Sequence, residues 1–178
     1  LNGAHTSLVA GALLSGVETV GEAMENELTY VFLNKCMKEE ILAVIGENDE
    51  SISFAKSVFD RFKNPFIKHK WSSIALNSVS KFSVRVLPTI LEYKEMYGRY
   101  PKCLTMSLAY LIYFYKNGNP EDAQGVIDVM KNESIDVILG NIDLWQADIS
   151  EMAGIVTEYY YKIQILGAKE AMEWILSE

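Results

Sequence analysis

The segment LTMSLAYLIYFY, residues 104–115, indicates the fold class of this chain. Pro101 precedes it, and the turn sequence NGNP at 117–120 follows it, so the whole run is bounded as one helix. It is too short to cross a bilayer, which takes roughly 20 apolar residues. Its tyrosines could form an interface with a partner, but aromatic side chains in helices are more often core.

Helical patterns continue on both sides of this segment. Apolar residues at helical spacing over 8–13 stop at Gly16, which we expect at the C′ position of a first helix. Thr19 and Glu22 form the pattern of a capping box that opens a second helix. Ser51 is expected to cap a later one, with Phe62 on its apolar face. Further helical segments are predicted over about 35–45, 51–64, 66–86, 88–98, 121–131, 135–144 and 150–176, the last with an interruption near 167. The sequence therefore predicts an all-α, multi-helix domain of about eight or nine helices spanning residues 1–178.

The composition argues against several classes of protein. The 178 residues include 16 basic and 24 acidic side chains, for a net charge of -8, which argues against nucleic acid or an anionic membrane as a partner. Cys36 and Cys103 are far apart and form no CxxC or Cys/His cluster, which argues against a structural zinc and fits the reducing cytoplasm. The chain begins at Leu1 rather than at a methionine, so we expect it to be a piece of a longer protein.

The first candidate for chemistry is the pair Asn2 and His5. Three residues apart at a helix start, the two side chains can point the same way. An amide and an imidazole can together stabilise negative charge on a substrate oxygen. In the alternative interpretation, Asn2 only caps the helix and His5 is a partly buried residue without a function.

The second candidate is a polar stripe along the helix predicted over 66–86. Its members recur every four residues: His69, Ser73, Asn77, Lys81 and Arg85. The stripe carries two cations and no carboxylate in an otherwise acidic chain. Lys81 and Arg85 could bind an anionic group, and Asn77 could read a hydroxyl group. The alternative is a solvated basic face without a ligand.

Common catalytic motifs are absent from the sequence. The segment 16–21 (GVETVG) lacks the GxGxxG spacing and the preceding strand of a dinucleotide site. No P-loop, HExxH, GxSxG or EF-hand pattern occurs, and no carboxylates are paired for acid/base catalysis. We therefore predict no cofactor-binding residues and no metal in this chain.

Four stretches give the sequence a family resemblance. LNGAHT at 1–6, followed by GVETV at 16–20, resembles the second domain of the polyol-specific long-chain dehydrogenases, the mannitol dehydrogenase family. RFKNPFIKHKW at 61–71 and LNSVSKF at 76–82 are similar to the tagaturonate reductases within that family, also called altronate oxidoreductases. The similarity covers nearly all of the chain.

The resemblance implies an NAD-dependent reductase that interconverts D-tagaturonate and D-altronate. In such enzymes a Rossmann domain that binds NAD precedes the helical domain, and a catalytic lysine lies just before the Asn-x-x-His element. Here both would lie before Leu1, so we expect residues 1–178 alone to be inactive. Asn2 and His5 match the family residues that polarise the reacting carbonyl, and Lys81 matches the family's substrate-binding lysine.

The resemblance also leaves alternatives open. Relatives acting on mannitol or fructuronate tend to have Asp-Gly where this chain has Asn77-Ser78, which favours tagaturonate as the substrate. Arg85 would join Lys81 on the substrate carboxylate, and His69 with Asn77 would read hydroxyl groups. The alternatives are a fructuronate reductase or mannitol dehydrogenase, or a separate helical interaction module that uses the 104–115 helix as its partner surface.

Overall fold

The computed structural model describes residues 2–64 and 69–178. These residues form α-helices joined by short turns, together with a π-helical segment at Cys36–Ile41 and a 3-10 turn at Ser150–Met152. The helices are α1 (Asn2–Leu14), α2 (Val20–Glu25), α3 (Glu27–Lys35), α4 (Leu42–Ile45), α5 (Asp49–Phe62), α6 (Trp71–Ile74), α7 (Ser78–Arg85), α8 (Leu87–Tyr97), α9 (Lys102–Asn117), α10 (Gln124–Asn132), α11 (Ile135–Leu139), α12 (Ile142–Trp145), α13 (Ala153–Leu166) and α14 (Ala168–Ser177).

Helix α9 is the centre of the structure. Its apolar side chains are buried except for those of Tyr113 and Phe114, which are partly buried. Burial on nearly every side is expected for a helix that is hydrophobic all round. Helices α1 and α13 make the most extensive contacts with it, and α10 and α14 also pack against it. Tyr110 and Tyr115 are completely buried, so this helix has no large face free for a partner. The interaction-module alternative loses the surface on which it depended.

Helix α1 lies against α9 because its side chains are small. At Gly11, an added Cβ would lie 3.1 Å from the Met172 side chain and 3.3 Å from Tyr110. The helix ends as the sequence predicted, with Gly16 at φ +76°. The Gly16 N–H donates to the Leu13 carbonyl and the Val17 N–H to the Ala12 carbonyl, which are the two bonds of a Schellman motif.

The chain between residues 19 and 46 differs from the prediction in one respect. The Thr19–Glu22 capping box is present, but α2 ends at Glu25 instead of continuing. Asn26 starts α3 because its side chain accepts the backbone N–H groups of Leu28 and Thr29. Because its side chain satisfies two backbone N–H groups at a helix start, Asn favours a new helix over continuation of the preceding one. From α3 the chain runs without a break through the π-helical segment to Gly46.

The prediction of one long helix over 66–86 was wrong. Residues 66–68 lie outside the described part, and from His69 onward two helices form, α6 and α7. Asn77 separates them at φ +52°, in the left-handed region that Asn adopts more readily than most residues. Before α6 the backbone is extended, and the His69 carbonyl accepts the N–H of Val20 at 2.9 Å. The polar stripe is therefore not a continuous helical stripe.

Of the other predictions about the fold, some are confirmed and some are wrong. The all-α fold class is confirmed, although several short helices raise the number above eight or nine. Ser51 is not the cap of α5: Asn48 is, and Ser51 is its capping-box partner. Gly98 and Gly167 end or interrupt helices as expected, both with positive φ. The assignment of 1–178 to one domain stays a prediction.

None of the helices in the described ranges 2–64 and 69–178 has the length and apolar character needed to span a lipid bilayer.

The end of α1 gives a testable consequence. We expect Gly16→Ala to lower the free energy of unfolding by about 1 kcal/mol, because a Cβ is disfavoured at positive φ even though no atom lies within 4 Å of it. Gly21→Ala is the matched control, since that glycine also has open space and its φ is not positive. Urea unfolding measures both. Equal effects of the two substitutions would contradict the left-handed C′ assignment.

Candidate active site

Asn2 and His5 occupy the first turns of α1, on one side of the helix as their spacing predicted. Asn2 is exposed, and its carbonyl accepts the Thr6 hydroxyl at 2.8 Å. His5 is half-buried. A Cβ added at Gly3 would meet the Arg85 carbonyl at 3.1 Å, so α1 begins directly against the end of α7. This contact places the Asn2/His5 pair beside α7, the helix that carries Lys81 and Arg85.

Aromatic rings surround His5. The Phe62 ring stacks on the imidazole with centroids 4.0 Å apart and planes 25° apart. Trp71 meets it edge-on at 6.1 Å, and the His69 ring lies at 6.4 Å. Burial, with the positive charge of His69 and Arg85 nearby, lowers the pKa of His5 to about 4. At neutral pH the imidazole is therefore uncharged and has one N–H to donate.

Lys81 and Arg85 lie one turn apart on α7. The Lys81 ammonium donates to the Ile74 carbonyl, at the end of α6, with an N–O distance of 3.0 Å. That bond uses one of its three donors and directs the side chain along the α6–α7 junction. Partial burial first, and then the charge of Arg85, hold the pKa of Lys81 below its usual value. Arg85 itself is exposed at the last turn of α7.

A carboxylate that the sequence analysis did not connect with this site lies near Lys81. Asp122 is close enough to oppose the lowering of the pKa of Lys81. Both of its oxygens already accept hydrogen bonds, from the Tyr115 hydroxyl at 2.6 Å and from the Ala123 N–H at 2.8 Å. Asp122 follows the turn after α9, and no periodicity in the sequence relates it to α7. Phe62 was likewise assigned only to the apolar face of α5.

Not all of the predicted site residues come together. His69 and Arg85 act electrostatically on His5, and Arg85 acts on Lys81, so these four residues lie close together. We call the two cations, Lys81 and Arg85, the electropositive group. Asn77 lies in the turn before α7, where its backbone N–H donates to the Glu121 carbonyl at 2.9 Å. Its side chain does not cap α7. Its position is thus explained by the backbone, and a role in reading hydroxyl groups stays a prediction.

Residues 2–64 and 69–178 contain no glycine-rich turn between a strand and a helix. Binding of a pyrophosphate in dinucleotide sites uses a turn of this kind. Here the glycines at 16 and 21 belong to the Schellman motif and to the first turn of α2, with no strand before them.

Comparison with known proteins identifies relatives of this chain. The family model described as the mannitol dehydrogenase C-terminal domain matches residues 1–166. The altronate oxidoreductase of Pectobacterium carotovorum subsp. carotovorum (strain PC1) is 38% identical over 201 residues, which cover 97% of this chain and 41% of the relative. That of Bacillus subtilis (strain 168) is 39% identical over 187 residues, covering 97% and 39%. The chain thus spans about two-fifths of the length of these curated relatives.

Two solved structures share the fold. The mannitol 2-dehydrogenase of Pseudomonas fluorescens, in a ternary complex with NAD and D-mannitol, superposes with a TM-score of 0.83 at 20% identity. The match covers 100% of this chain and 39% of that one. A D-sorbitol dehydrogenase in substrate-free form gives 0.80 at 20% identity, covering 97% and 38%. At this identity the likeness concerns the arrangement of helices.

The environment of His5 predicts an unusual titration. We expect its imidazole to titrate with a midpoint near 4 in proton NMR, because burial disfavours the charged form. The folded state then binds fewer protons than the unfolded chain between about pH 4 and 6.5, so stability falls as the pH is lowered through that window. His5→Asn identifies the resonance and should reduce this slope. A midpoint near 6.5 would show that Phe62 and Trp71 do not exclude water from the ring.

Proposed function

Because this chain belongs to the mannitol dehydrogenase C-terminal domain family, we propose that it is the substrate-binding domain of an NAD-dependent hexuronate reductase. The reaction would interconvert D-tagaturonate and D-altronate in the cytoplasm. The observation that carries this proposal is the identity of 38–39% with altronate oxidoreductases along 97% of the chain. The electropositive group beside Asn2 and His5 supports it, since the substrate is an anion.

The carbonyl end of the substrate would be bound by α1. The Asn2 amide and the His5 imidazole each offer an N–H donor on the same side of the first turns. Donors fixed in advance stabilise the oxygen as negative charge develops on it. Since the pKa of His5 is lowered to about 4, its imidazole is neutral at pH 7 and can polarise the carbonyl without transferring a proton. Phe62, stacked at 4.0 Å, would fix the plane of the ring.

The carboxylate end of the substrate would be bound by α7. Arg85 is exposed on its last turn, and Lys81 keeps two donors beyond the one given to Ile74. An anion between them would relieve the mutual repulsion that lowers the pKa of Lys81. The charge of Arg85 also acts on His5, so the two ends of a single hexuronate would be bound by adjoining surfaces.

A second domain would complete the active site. The relatives are about two and a half times as long as this chain, which leaves room for a nucleotide-binding domain before it. NADH held there would supply the hydride. A neutral His5 does not deliver a proton readily at pH 7, which fits the family pattern of a lysine close before Asn2 as the general acid. Residues 2–178 would then bind and orient the substrate.

Fructuronate reductase and mannitol dehydrogenase are the alternative functions. The high identity with altronate oxidoreductases favours tagaturonate over both. The arrangement around Lys81 and Arg85 separates the alternatives chemically, because mannitol and fructose have no carboxylate for the two cations to bind. Fructuronate differs from tagaturonate only in stereochemistry, so the cationic pair cannot distinguish these two substrates.

A substrate panel tests the assignment. We expect the intact polypeptide, assayed with NADH, to reduce tagaturonate with a higher kcat/KM than fructuronate, and both with a higher kcat/KM than fructose. The sequence likeness is the reason to expect tagaturonate to be preferred over fructuronate. The electropositive group is the reason to expect both uronates to be preferred over fructose. A rate with fructose that equals or exceeds that with the uronates would rule out a hexuronate as the substrate.

Substitutions on α7 test the carboxylate contact. We expect Lys81→Ala or Arg85→Ala in the intact enzyme to lower kcat/KM for tagaturonate roughly 10- to 100-fold, since a hydrogen bond to a charged group contributes about 1.5–3 kcal/mol. NADH affinity, measured by fluorescence titration, should not change, and the ratio of tagaturonate to fructose activity should fall. Lys131→Ala, an exposed lysine on α10, is the matched control. A normal rate for Lys81→Ala would remove Lys81 from the site.

A further inference from the structure

Three side chains with metal-binding atoms meet in the core, away from the candidate active site. They are Cys36 and Glu40 from the π-helical segment and Cys103 from the first turns of α9. The two Sγ atoms and a carboxylate oxygen all lie within 4.8 Å of one another. Their exposed fractions are 0% for Cys36, 6% for Glu40 and 3% for Cys103. The proposed substrate reaction uses none of them.

The cluster is made of acidic groups, and the charge of Arg99 acts on one of them, Glu40. Two thiols and a carboxyl group can carry up to three negative charges when they lose their protons. Burial raises the pKa of Glu40 to about 7, against the two backbone N–H groups that lower it. Burial and then the adjacent Cys103 raise the pKa of the Cys36 thiol. A divalent cation would stabilise all three deprotonated groups at once.

The local backbone supports the ligand geometry. Cys36 and Glu40 are four residues apart and lie on one face of a π-helical turn, which ends with the Leu42 N–H bonded to the Met37 carbonyl. Such turns interrupt α-helices frequently at functional sites. The Glu40 oxygens accept the N–H groups of Cys103 and Leu104, each at 2.7 Å, which fixes the carboxylate beside the Cys103 thiol. Each oxygen keeps a lone pair for another partner.

An approach to the cluster is present. A surface cavity of about 280 Å³ is lined by Glu40 and Cys103 at its inner end. Three cationic side chains also line it, those of Lys35, Arg99 and Lys102. Both lysines are bonded to carbonyl groups at the end of α14, those of Leu176 and Glu178. A metal ion would enter past these cations and beside the carboxylates of Glu39 and Glu178, and water would take its fourth coordination position.

From these contacts we propose that Cys36, Glu40 and Cys103 form a binding site for a soft divalent cation, with Zn²⁺ the best match. Two thiolates and one carboxylate are ligands that zinc accepts in tetrahedral sites. Bond lengths of about 2.3 Å to sulfur and 2.0–2.2 Å to oxygen place the ligand atoms about 3.6–3.8 Å apart. The observed spread of up to 4.8 Å would therefore contract by about 1 Å on binding.

Zinc at this position would join the π-helical segment to the start of α9. The sequence analysis predicted no metal because the spacing from Cys36 to Cys103 matches no zinc motif. The ligands are supplied by two helices that only the fold brings together. The site is separate from the proposed reaction, so its test and the substrate assays can fail independently.

Metal binding is tested on the intact polypeptide, which is stripped with a chelator, kept reduced and then reloaded with Zn²⁺ or Co²⁺. We expect mass spectrometry of the zinc-loaded protein to show one Zn²⁺ per chain. With Co²⁺ as the probe, we expect sulfur-to-cobalt charge-transfer absorption. Cys36→Ser and Cys103→Ser should abolish this absorption, and Glu40→Gln should weaken Zn²⁺ affinity by more than roughly tenfold. Glu39→Gln, the exposed neighbour, is the matched control and should bind normally.

Folding is checked separately from binding. Because Glu40 also satisfies the start of α9, its variant is interpreted only if circular dichroism shows a folded chain. If the Glu40 variant is not folded, the Cys36→Ser and Cys103→Ser variants still test the proposal. Less than stoichiometric zinc in the wild type, or unchanged cobalt absorption after Cys103→Ser, would overturn the proposal. So would conversion of the two thiols to a disulfide with no cobalt absorption.

Discussion

The buried start of α9 is the constraint on which the packing of this domain depends. A helix leaves its first N–H groups without partners inside the helix, and burying such groups unpaired is costly. Glu40 accepts two of these groups, from Cys103 and Leu104. A carboxylate is suited to this position because the helix dipole favours negative charge there. With its first turn satisfied, α9 can be enclosed by α1, α13 and α14.

The candidate active site follows from that enclosure. Helix α1 can lie on α9 because Gly11 admits Tyr110 and Met172 at close range. The start of α1 is then carried against the end of α7, where the backbone of Arg85 lies beside Gly3. His5 thereby comes under the influence of a cation from a helix some 80 residues later in the chain. Core packing and the placement of the candidate active site are consequences of one arrangement.

Local signals in the sequence predicted a large part of this structure. Positions that need one residue type for a backbone reason, such as Gly16 and the Thr19–Glu22 box, were placed correctly. The family resemblance was confirmed, and with it the fold class. Breaks made by asparagine were missed, because an asparagine within a helical pattern does not show whether its side chain or its backbone ends the helix. Asn26 separates two helices through its side chain, and Asn77 does so through its left-handed backbone.

Long-range relations were beyond the reach of the sequence. The stacking of Phe62 on His5, the proximity of Asp122 to Lys81 and the meeting of the two cysteines all join segments that are distant in the sequence. Periodicity describes one helix at a time, so it assigned Phe62 to a core face and the cysteines to unrelated segments. It also combined residues 69–85 into one helix, although the junction at Asn77 turns α7 away from α6.

The left-handed backbone at Asn77 limits how this domain could be redesigned. A residue at φ +52° is tolerated chiefly as Asn, Asp or Gly, whatever the side chain contacts. Variation of this position in a mutant library would therefore sample very little chemistry: an amide, a carboxylate or no side chain. Asp, the residue that the resemblance associates with this position in enzymes of the other substrate classes, lies within this small set, so that replacement would not reshape the α6–α7 junction.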